Sequence, residues 1–375
     1  MRALSLFSGC GGLDLGARQA GFETVLAIDH DATAIDTYKR NISSDAIVAD
    51  LTNSSSILLP NNIDLLIGGP PCQGFSSAGP KRSDDPRNKL WGAYLEVLKK
   101  SNVKSFLLEN VPGFESELSN FLEEIEKTFP GKFRIEHKKL ISQYYGVPQF
   151  RHRLFVIGVL KKFTDKNLWP TPTDIEVFNY TKKFPSMITI KEAIEDLGPP
   201  SAAEDKFGPG GLDHAYVKLS SSDEFIVAHI PNGGSLKDIP DCHLPKPYAG
   251  RVRGPKGWTW YFRKPRIDLP ARSVLASIRP NFSTILAPDV TYNNLCGTWK
   301  FENVERENFT DSSGLYTSPM MPRRLTVREY ARIQTFPDDF EFSGTMLEKY
   351  RMIGNAVPCS LGKQLCESIK RAIES

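Results

Sequence analysis

The residue with the clearest chemical potential is Cys72, in the stretch Gly68-Gly69-Pro70-Pro71-Cys72-Gln73-Gly74-Phe75-Ser76 that follows the apolar run Ile63–Ile67. Such a run, bounded by glycines and prolines, reads as a buried strand. The thiol then falls on a loop at the strand's carboxyl end, where open α/β sheets collect their ligands. A lone cysteine is more often a buried hydrophobe than a reagent. Here two prolines stiffen the loop before the thiol and Gly74 leaves room after it, which is a poor core sequence and a good one for presenting a nucleophile. Glu109 closes another apolar run, Leu107-Leu108-Glu109-Asn110-Val111, and belongs to the same layer. A carboxyl group near a nucleophilic thiol is useful where a substrate ring must be protonated as it is attacked. Arg151 and Arg153, in Gln149-Phe150-Arg151-His152-Arg153, are two apart on an extended segment. Alternation makes them point the same way, as a grip on an oxygen-rich ligand requires.

A second constellation suits an adenosine-bearing cofactor. The first apolar run ends in Phe7-Ser8-Gly9-Cys10-Gly11-Gly12-Leu13, a glycine turn opening a helix. Glycines there let backbone approach a ligand, and the helix start offers free N–H groups. Asp29 follows twenty residues after Gly9, where an acid suits a ribose diol. Asp50, after the next short apolar run, is placed to accept from an adenine amino group. The glycines depart from G-x-G-x-x-G, which favours a cofactor without phosphates over a dinucleotide.

The elements that must position these residues alternate. Strands are expected at Ala3–Phe7, Thr24–Ile28, Ile63–Ile67, Ser105–Leu108 and Arg153–Val159, and helices at Leu13–Ala20, Ala32–Asn41, Leu90–Asn102 and Leu118–Thr128. This is an α/β pattern with a mostly parallel, Rossmann-like sheet. From about residue 161 the texture changes: residues 161–322 hold 17 of the 27 prolines, and Thr189–Leu197 is the clearest helical stretch. Helical periodicity returns at Thr326–Thr335 and from Pro358 onward. The expected division is a catalytic and cofactor-binding domain of residues 1–160 and 323–375, with residues 161–322 inserted as a smaller, irregular domain.

The bulk properties exclude other classes. The 375 residues carry a formal net charge of only +3, so charge distribution rather than total must argue for nucleic acid. Six cysteines without a C-x-x-C pair give no zinc pattern. No run of about 18 apolar residues is present, and MRALSLFSGCGG meets Ser and Gly too early for a signal peptide. The reading is a cytoplasmic protein with reduced thiols, no membrane span and no metal, acting as a monomer.

Taken in order, these stretches resemble the DNA cytosine-5 methyltransferases, above all the small single-chain enzymes of bacterial restriction–modification systems. The resemblance covers residues 1–160 and 320–360 almost continuously. It rests on Phe7–Leu13, Gly69-Pro70-Pro71-Cys72-Gln73, Glu109-Asn110-Val111, Gln149 with Arg151 and Arg153, Arg324-Leu325-Thr326-Val327-Arg328-Glu329, and Gly354-Asn355-Ala356-Val357-Pro358. It implies S-adenosylmethionine as cofactor and double-stranded DNA with a flipped-out cytosine as partner. It further implies Cys72 as nucleophile toward carbon 6, Glu109 as donor to ring nitrogen 3, Arg153 on the cytosine O2 and Arg151 in support. Phe7, Gly9, Gly11, Gly12, Leu13, Asp29, His30, Asp50, Leu51, Pro70, Leu90, Asn355, Ala356 and Val357 are implied to line the cofactor site. Two positions depart from the pattern: Asp29 stands where Glu is common, and His30 where a large aromatic usually stacks on adenine.

Within the insertion, Lys246, Arg251, Arg253, Lys256, Arg263, Lys264 and Arg266 occur without an acidic residue between 246 and 266, interleaved with Tyr248, Trp258, Trp260, Tyr261 and Phe262. Basic groups neutralise phosphates and arginine reads guanine edges, so this is the expected target-recognition surface, with Ser76 of the Cys72 loop also on the DNA side. Two rivals share parts of the pattern. An RNA methyltransferase of the same fold is disfavoured by the long basic, proline-rich insertion. A catalytically silent DNA-binding regulator is disfavoured by the presence of both Cys72 and Glu109. Methylation of an exocyclic amino group needs no thiol adduct, so Pro-Pro-Cys-Gln argues against it.

Overall fold

In the computed structural model the apolar start of the chain becomes the centre of a seven-stranded sheet. The structure describes residues 1–52, 57–71, 90–163, 166–172, 187–198, 200–202, 213–216, 227, 230, 233–239, 263–276, 285–286, 291–293, 298–300 and 323–374. Strands β1 (Arg2–Leu6), β2 (Glu23–Asp29), β3 (Ala46–Val48), β4 (Ile63–Gly68) and β5 (Val103–Asn110) pair in parallel. Strand β6 (Phe133–Ile141) is followed by the short β7 (Gln149–Phe150) and by β8 (His152–Leu160), which runs antiparallel to both β5 and β6. The sheet order is β3-β2-β1-β4-β5-β8-β6. The direction of winding reverses between β1 and β4. Ligands of open α/β sheets lie beyond the carboxyl ends of the strands at that reversal, so the loops after Leu6 and Gly68 frame the site.

Because both faces of these strands are covered, their residues are apolar on both sides rather than alternating. On one face Ala3, Leu65, Ile67, Leu107, Phe155 and Ile157 pack with Leu13 and Ala17 of α1 (Gly12–Gln19). On the other, Leu4, Leu66, Phe106 and Leu108 pack with helices α3 (Leu90–Lys100) and α4 (Glu115–Thr128). Helix α2 (Ala32–Asn41) covers Ala27 and Ala46 through Ile35 and Tyr38.

The remaining helices are α5 (Ile190–Ile194), α6 (Val327–Ile333), α7 (Met346–Asn355) and α8 (Cys359–Ile373). Helix α8 closes the first face by burying Leu361, Leu365, Ile369 and Ile373 at four-residue spacing. Each such side chain contributes about 1.5–3 kcal/mol on burial.

The expected elements are present, most with shifted ends, and four of the labelled elements were not anticipated: β3, β6, β7 and α7. Described parts of 161–322 pack with residues of the expected catalytic domain. Ile190 and Ile194 of α5, with Ala271 and Val274, share one core with Leu325, Val327, Tyr330 and Ile353. Ala271–Arg272 pairs in parallel with β7, and Ile285–Leu286 pairs antiparallel with Arg323–Arg324. The other described strands of 161–322 are two or three residues long, as an irregular region requires.

Residues 166–172 run as a strap beside the edge strand β6. Trp169 Nε1 donates to Glu136 at 2.6 Å, Arg134 donates to the Lys166 carbonyl at 3.0 Å, and Lys138 lies over the Trp169 ring.

Candidate active site

Beyond β1 the backbone enters the left-handed region at Phe7, Gly9 and Gly11, with φ of 53°, 55° and 93°. The turn is tied to the end of β2: Gly9 N donates to Asp29 Oδ2 at 2.8 Å, and Asp31 N donates to Oδ1 at 2.9 Å. His30 is exposed, with Nδ1 3.1 Å from the same Oδ1. The Asp29 carboxylate is therefore buried and fixed, with lone pairs left over for a ligand. A side chain on Gly9 would meet nothing within 4 Å, so its backbone faces open space. Gly12 is the reverse case. A Cβ there would lie 2.5 Å from the Val357 carbonyl oxygen and 3.0 Å from Ala356 Cβ, so the glycine lets α1 seat against the 355–357 turn.

The other expected cofactor residues surround this turn unevenly. Leu13, Leu51, Pro70 and Val357 are buried, Phe7, Leu90 and Ala356 half-buried, and Asn355 exposed. Asp50 is exposed, and its Oδ1 already accepts from Thr52 N at 2.9 Å and from Thr52 Oγ1 at 2.8 Å. Those two bonds hold its carboxyl below the usual range, and Oδ2 is the oxygen that remains for an amino group.

On the β4 side, the described chain reaches Pro71, one residue before Cys72. Both Cys72 and Ser76 lie outside the described residues. Asn110 Nδ2 donates to the Pro70 carbonyl at 3.0 Å and so anchors the start of that loop to the end of β5. Glu109 is buried, and its Oε2 would lie 3.0 Å from a Cβ placed on Gly69. Its Oε1 is 2.8 Å from Arg153 Nε. Glu109 lies opposite Phe155 on β8, which puts Arg153 on the same face and diagonally adjacent.

Arg151 makes different contacts from Arg153. Completely buried, it donates to the Val274 carbonyl from Nη1 and to the Gly354 carbonyl from Nη2, each at 2.9 Å. Burial first, and then the Arg153 charge, disfavours its cationic form. Arg151 lies between β7 and β8 rather than within a strand, so alternation along one strand does not govern it.

The basic run is only partly described; Lys246, Arg251, Arg253 and Lys256 lie outside the described residues. Arg263 is half-buried, and burial together with Arg272 lowers its pKa. Lys264 is buried, and Arg266, half-exposed at the surface, pairs with Asp268.

The first turn of α1 holds a group that sequence reading missed. Asp14 is buried and accepts from Tyr38 Oη at 2.9 Å. Desolvation outweighs its hydrogen bonds and raises its pKa from 3.8 to about 6. A carboxyl whose folded pKa exceeds its unfolded value favours folding most below pH 4. That contribution is lost as pH rises through 6, a change on the order of 3 kcal/mol. Asp14→Asn keeps an acceptor for Tyr38 and removes the charge. It should raise the midpoint of thermal unfolding at pH 7.5, with the difference vanishing near pH 4. A uniform loss of stability across that range would show that the contribution of Asp14 does not depend on its ionisation and would overturn the raised pKa.

Among the described residues no group of three or more His, Cys, Asp or Glu side chains is arranged to hold a metal, and no helix is long and apolar enough to cross a membrane. Cys10, Cys359 and Cys366 are free and buried, and burial pushes the Cys10 thiol up to about 12 and the other two upward as well.

Comparison with known proteins agrees with this layout along the whole chain. The chain is 33% identical over 382 residues to the Type II methyltransferase M.NgoPII of Neisseria gonorrhoeae, covering 100% of this chain and 96% of that one. It is 34% identical over 379 residues to the Type II methyltransferase M.FnuDI of Fusobacterium nucleatum, covering 100% and 95%. The fold matches the crystal structure of a prophage-encoded Escherichia coli protein with a TM-score of 0.65, at 22% identity and full coverage of both chains. The family model for the C-5 cytosine-specific DNA methylases matches residues 1–371, and the chain belongs to that family.

Proposed function

We propose that this chain transfers a methyl group from S-adenosylmethionine to carbon 5 of cytosine in double-stranded DNA, acting as a monomer and as the modification half of a restriction–modification system. Its relatives in Neisseria and Fusobacterium, both Type II methyltransferases, support the biological setting. The observation that carries the chemistry is the Glu109–Arg153 pair, 2.8 Å apart where the loops after β1 and β4 open.

The residues present fit the cofactor. The open backbone at Gly9 and the fixed Asp29 carboxylate suit an adenosine, and Ser8 Oγ is a buried polar atom without a partner among the described residues. The loop Phe7–Leu13, Asp29 with His30, Asp50 with Leu51, Pro70, Leu90 and the 355–357 turn would hold it. When bound, S-adenosylmethionine supplies an electrophilic methyl group.

The chain's own residues make cytosine able to take that group. The Cys72 thiolate adds to carbon 6 of the ring. Glu109 donates a proton or hydrogen bond to nitrogen 3, so electron density moves to carbon 5, which is otherwise too weak a nucleophile. Arg153, held by Glu109, binds the ring O2. After carbon 5 is methylated it loses its proton, and the carbon 6–sulfur bond breaks to return the Cys72 thiolate. None of these contacts is possible inside a stacked duplex, so the base is extruded into the site. Recognition falls to the basic, aromatic stretch that includes Lys246, Arg251, Arg253 and Lys256, with Ser76 on the DNA side of the Cys72 loop.

A plasmid grown with the protein and sequenced at single-base resolution should show 5-methylcytosine at one recurring short sequence. Methyl groups on exocyclic nitrogen, or incorporation into RNA in place of duplex DNA, would overturn the proposal.

A further inference from the structure

Gln334 follows α6 with its side chain fully buried and every polar atom of the amide engaged. Its Oε1 accepts from Gln149 Nε2 at 2.9 Å, and its Nε2 donates to the Ile353 carbonyl at 2.6 Å and the Ala356 carbonyl at 3.2 Å. Carbonyl oxygens only accept, so this orientation of the amide is the one that satisfies all three partners. Gln149, also fully buried, accepts from Val274 N at 2.8 Å. The main chain continues the bracing: the Gln334 carbonyl accepts from Cys359 N at 3.3 Å, and Thr335 Oγ1, on a residue with φ of 61°, accepts from Ser360 N at 3.0 Å.

The two amides therefore join pieces distant in sequence. One piece is β7, which leads into Arg151 and Arg153. Another is the Val274 peptide, and the third is the end of α7 with the turn that seats Gly12. Gln334 touches that turn itself through Ala356 and its two flanks through Ile353 and Cys359.

We propose that Gln334 is a positioning residue. It holds the Asn355–Val357 turn on the cofactor side in fixed register with the strand that delivers Arg153. The methyl donor and the target ring then meet in one geometry. The proposal rests on the function given above, and it assigns Gln334 no contact with either ligand.

Gln334→Glu tests it. The glutamate keeps the volume and the acceptor for Gln149 but turns a second acceptor toward two carbonyls. Leaving buried acceptors without a donor costs about 1–3 kcal/mol. At pH 8 the dissociation constant for S-adenosylmethionine, measured by calorimetry on the full chain, should rise about tenfold. A buried carboxyl has a raised pKa, so at pH 6 the protonated form regains a donor and affinity should return to within a few-fold of the unaltered protein. Affinity for duplex DNA without cofactor should stay within about twofold at both pH values. Gln334→Met, similar in length and without the amide, should lose cofactor affinity at both pH values, and it serves if the glutamate variant does not fold at pH 8.

A purely structural role makes different demands. A lower unfolding temperature with unchanged cofactor binding, or equal losses of DNA and cofactor affinity, would overturn the proposal. If the unaltered protein bound no S-adenosylmethionine, the cofactor assignment would be what fails.

Discussion

Cys72→Ala should lose methyl transfer by a factor on the order of 10⁴ or more, the scale expected when a covalent nucleophile is deleted. The sharper measurement is trapping. Duplex DNA carrying 5-fluorocytosine at the target should form a stable adduct with the unaltered protein when S-adenosylmethionine is present. Fluorine at carbon 5 cannot leave as the proton does, so the carbon 6–sulfur bond persists. The adduct should be absent with Cys72→Ala, and digestion of the trapped complex should place the base on the peptide containing Pro70-Pro71-Cys72. The other described cysteines are poor substitutes, because Cys10, Cys359 and Cys366 are buried with thiols pushed upward. The thiolate, not the thiol, is the nucleophile. An adduct that survives Cys72→Ala would move the chemistry to another residue.

The second large effect is expected at Glu109. Glu109→Gln preserves size and an oxygen for Arg153 but removes the proton that ring nitrogen 3 requires. Loss of a general acid costs about 10²–10⁴ in rate. Because that interaction belongs to the transition state, the loss should appear in the single-turnover rate while DNA and cofactor affinities change only a few-fold. An unchanged turnover number would place the acid elsewhere. A parallel collapse of DNA binding would instead mean that the Glu109–Arg153 pair, 2.8 Å apart, serves mainly to hold the groove together.

These two residues stand out in the sequence because Glu109 closes an apolar run and Cys72 follows one by a short loop, and the end of a parallel strand is where such sheets do chemistry. The same logic located the glycine turn and Asp29. It missed β6, whose nine residues include Arg134, Glu136, His137, Lys138 and Lys139. An edge strand is defended by charge, so it lacks the apolar run that marks a central one. Helix α7 carried a readable start in Thr345 and Glu348, a capping box. Its apolar periodicity, however, is blurred by the exposed Leu347 and by Arg351.

Arg151 and Gln334 show a different limit. Their partners lie 123 and 203 residues away for Arg151, and 185 and 19 for Gln334. No local pattern holds that information. Lys264 is similar: a run of basic residues suggests a solvated surface, and only the surrounding packing shows that this one is buried.

The reversed direction of β8 has a topographic consequence. Arg153 reaches the mouth of the site because β8 begins there, opposite the end of β5, so Leu160 leaves the sheet at the far end, beside Phe133. The nine residues of the strand separate its two ends by roughly 26 Å. The polypeptide must therefore return toward the other end of the sheet before Ile190 and Ile194 join the core that also holds Ala271 and Val274. The strap 166–172 is the first stage of that return journey, and its contacts with Arg134, Glu136 and Lys138 shield the outermost strand on the way. Length in this connector is thus a mechanical requirement.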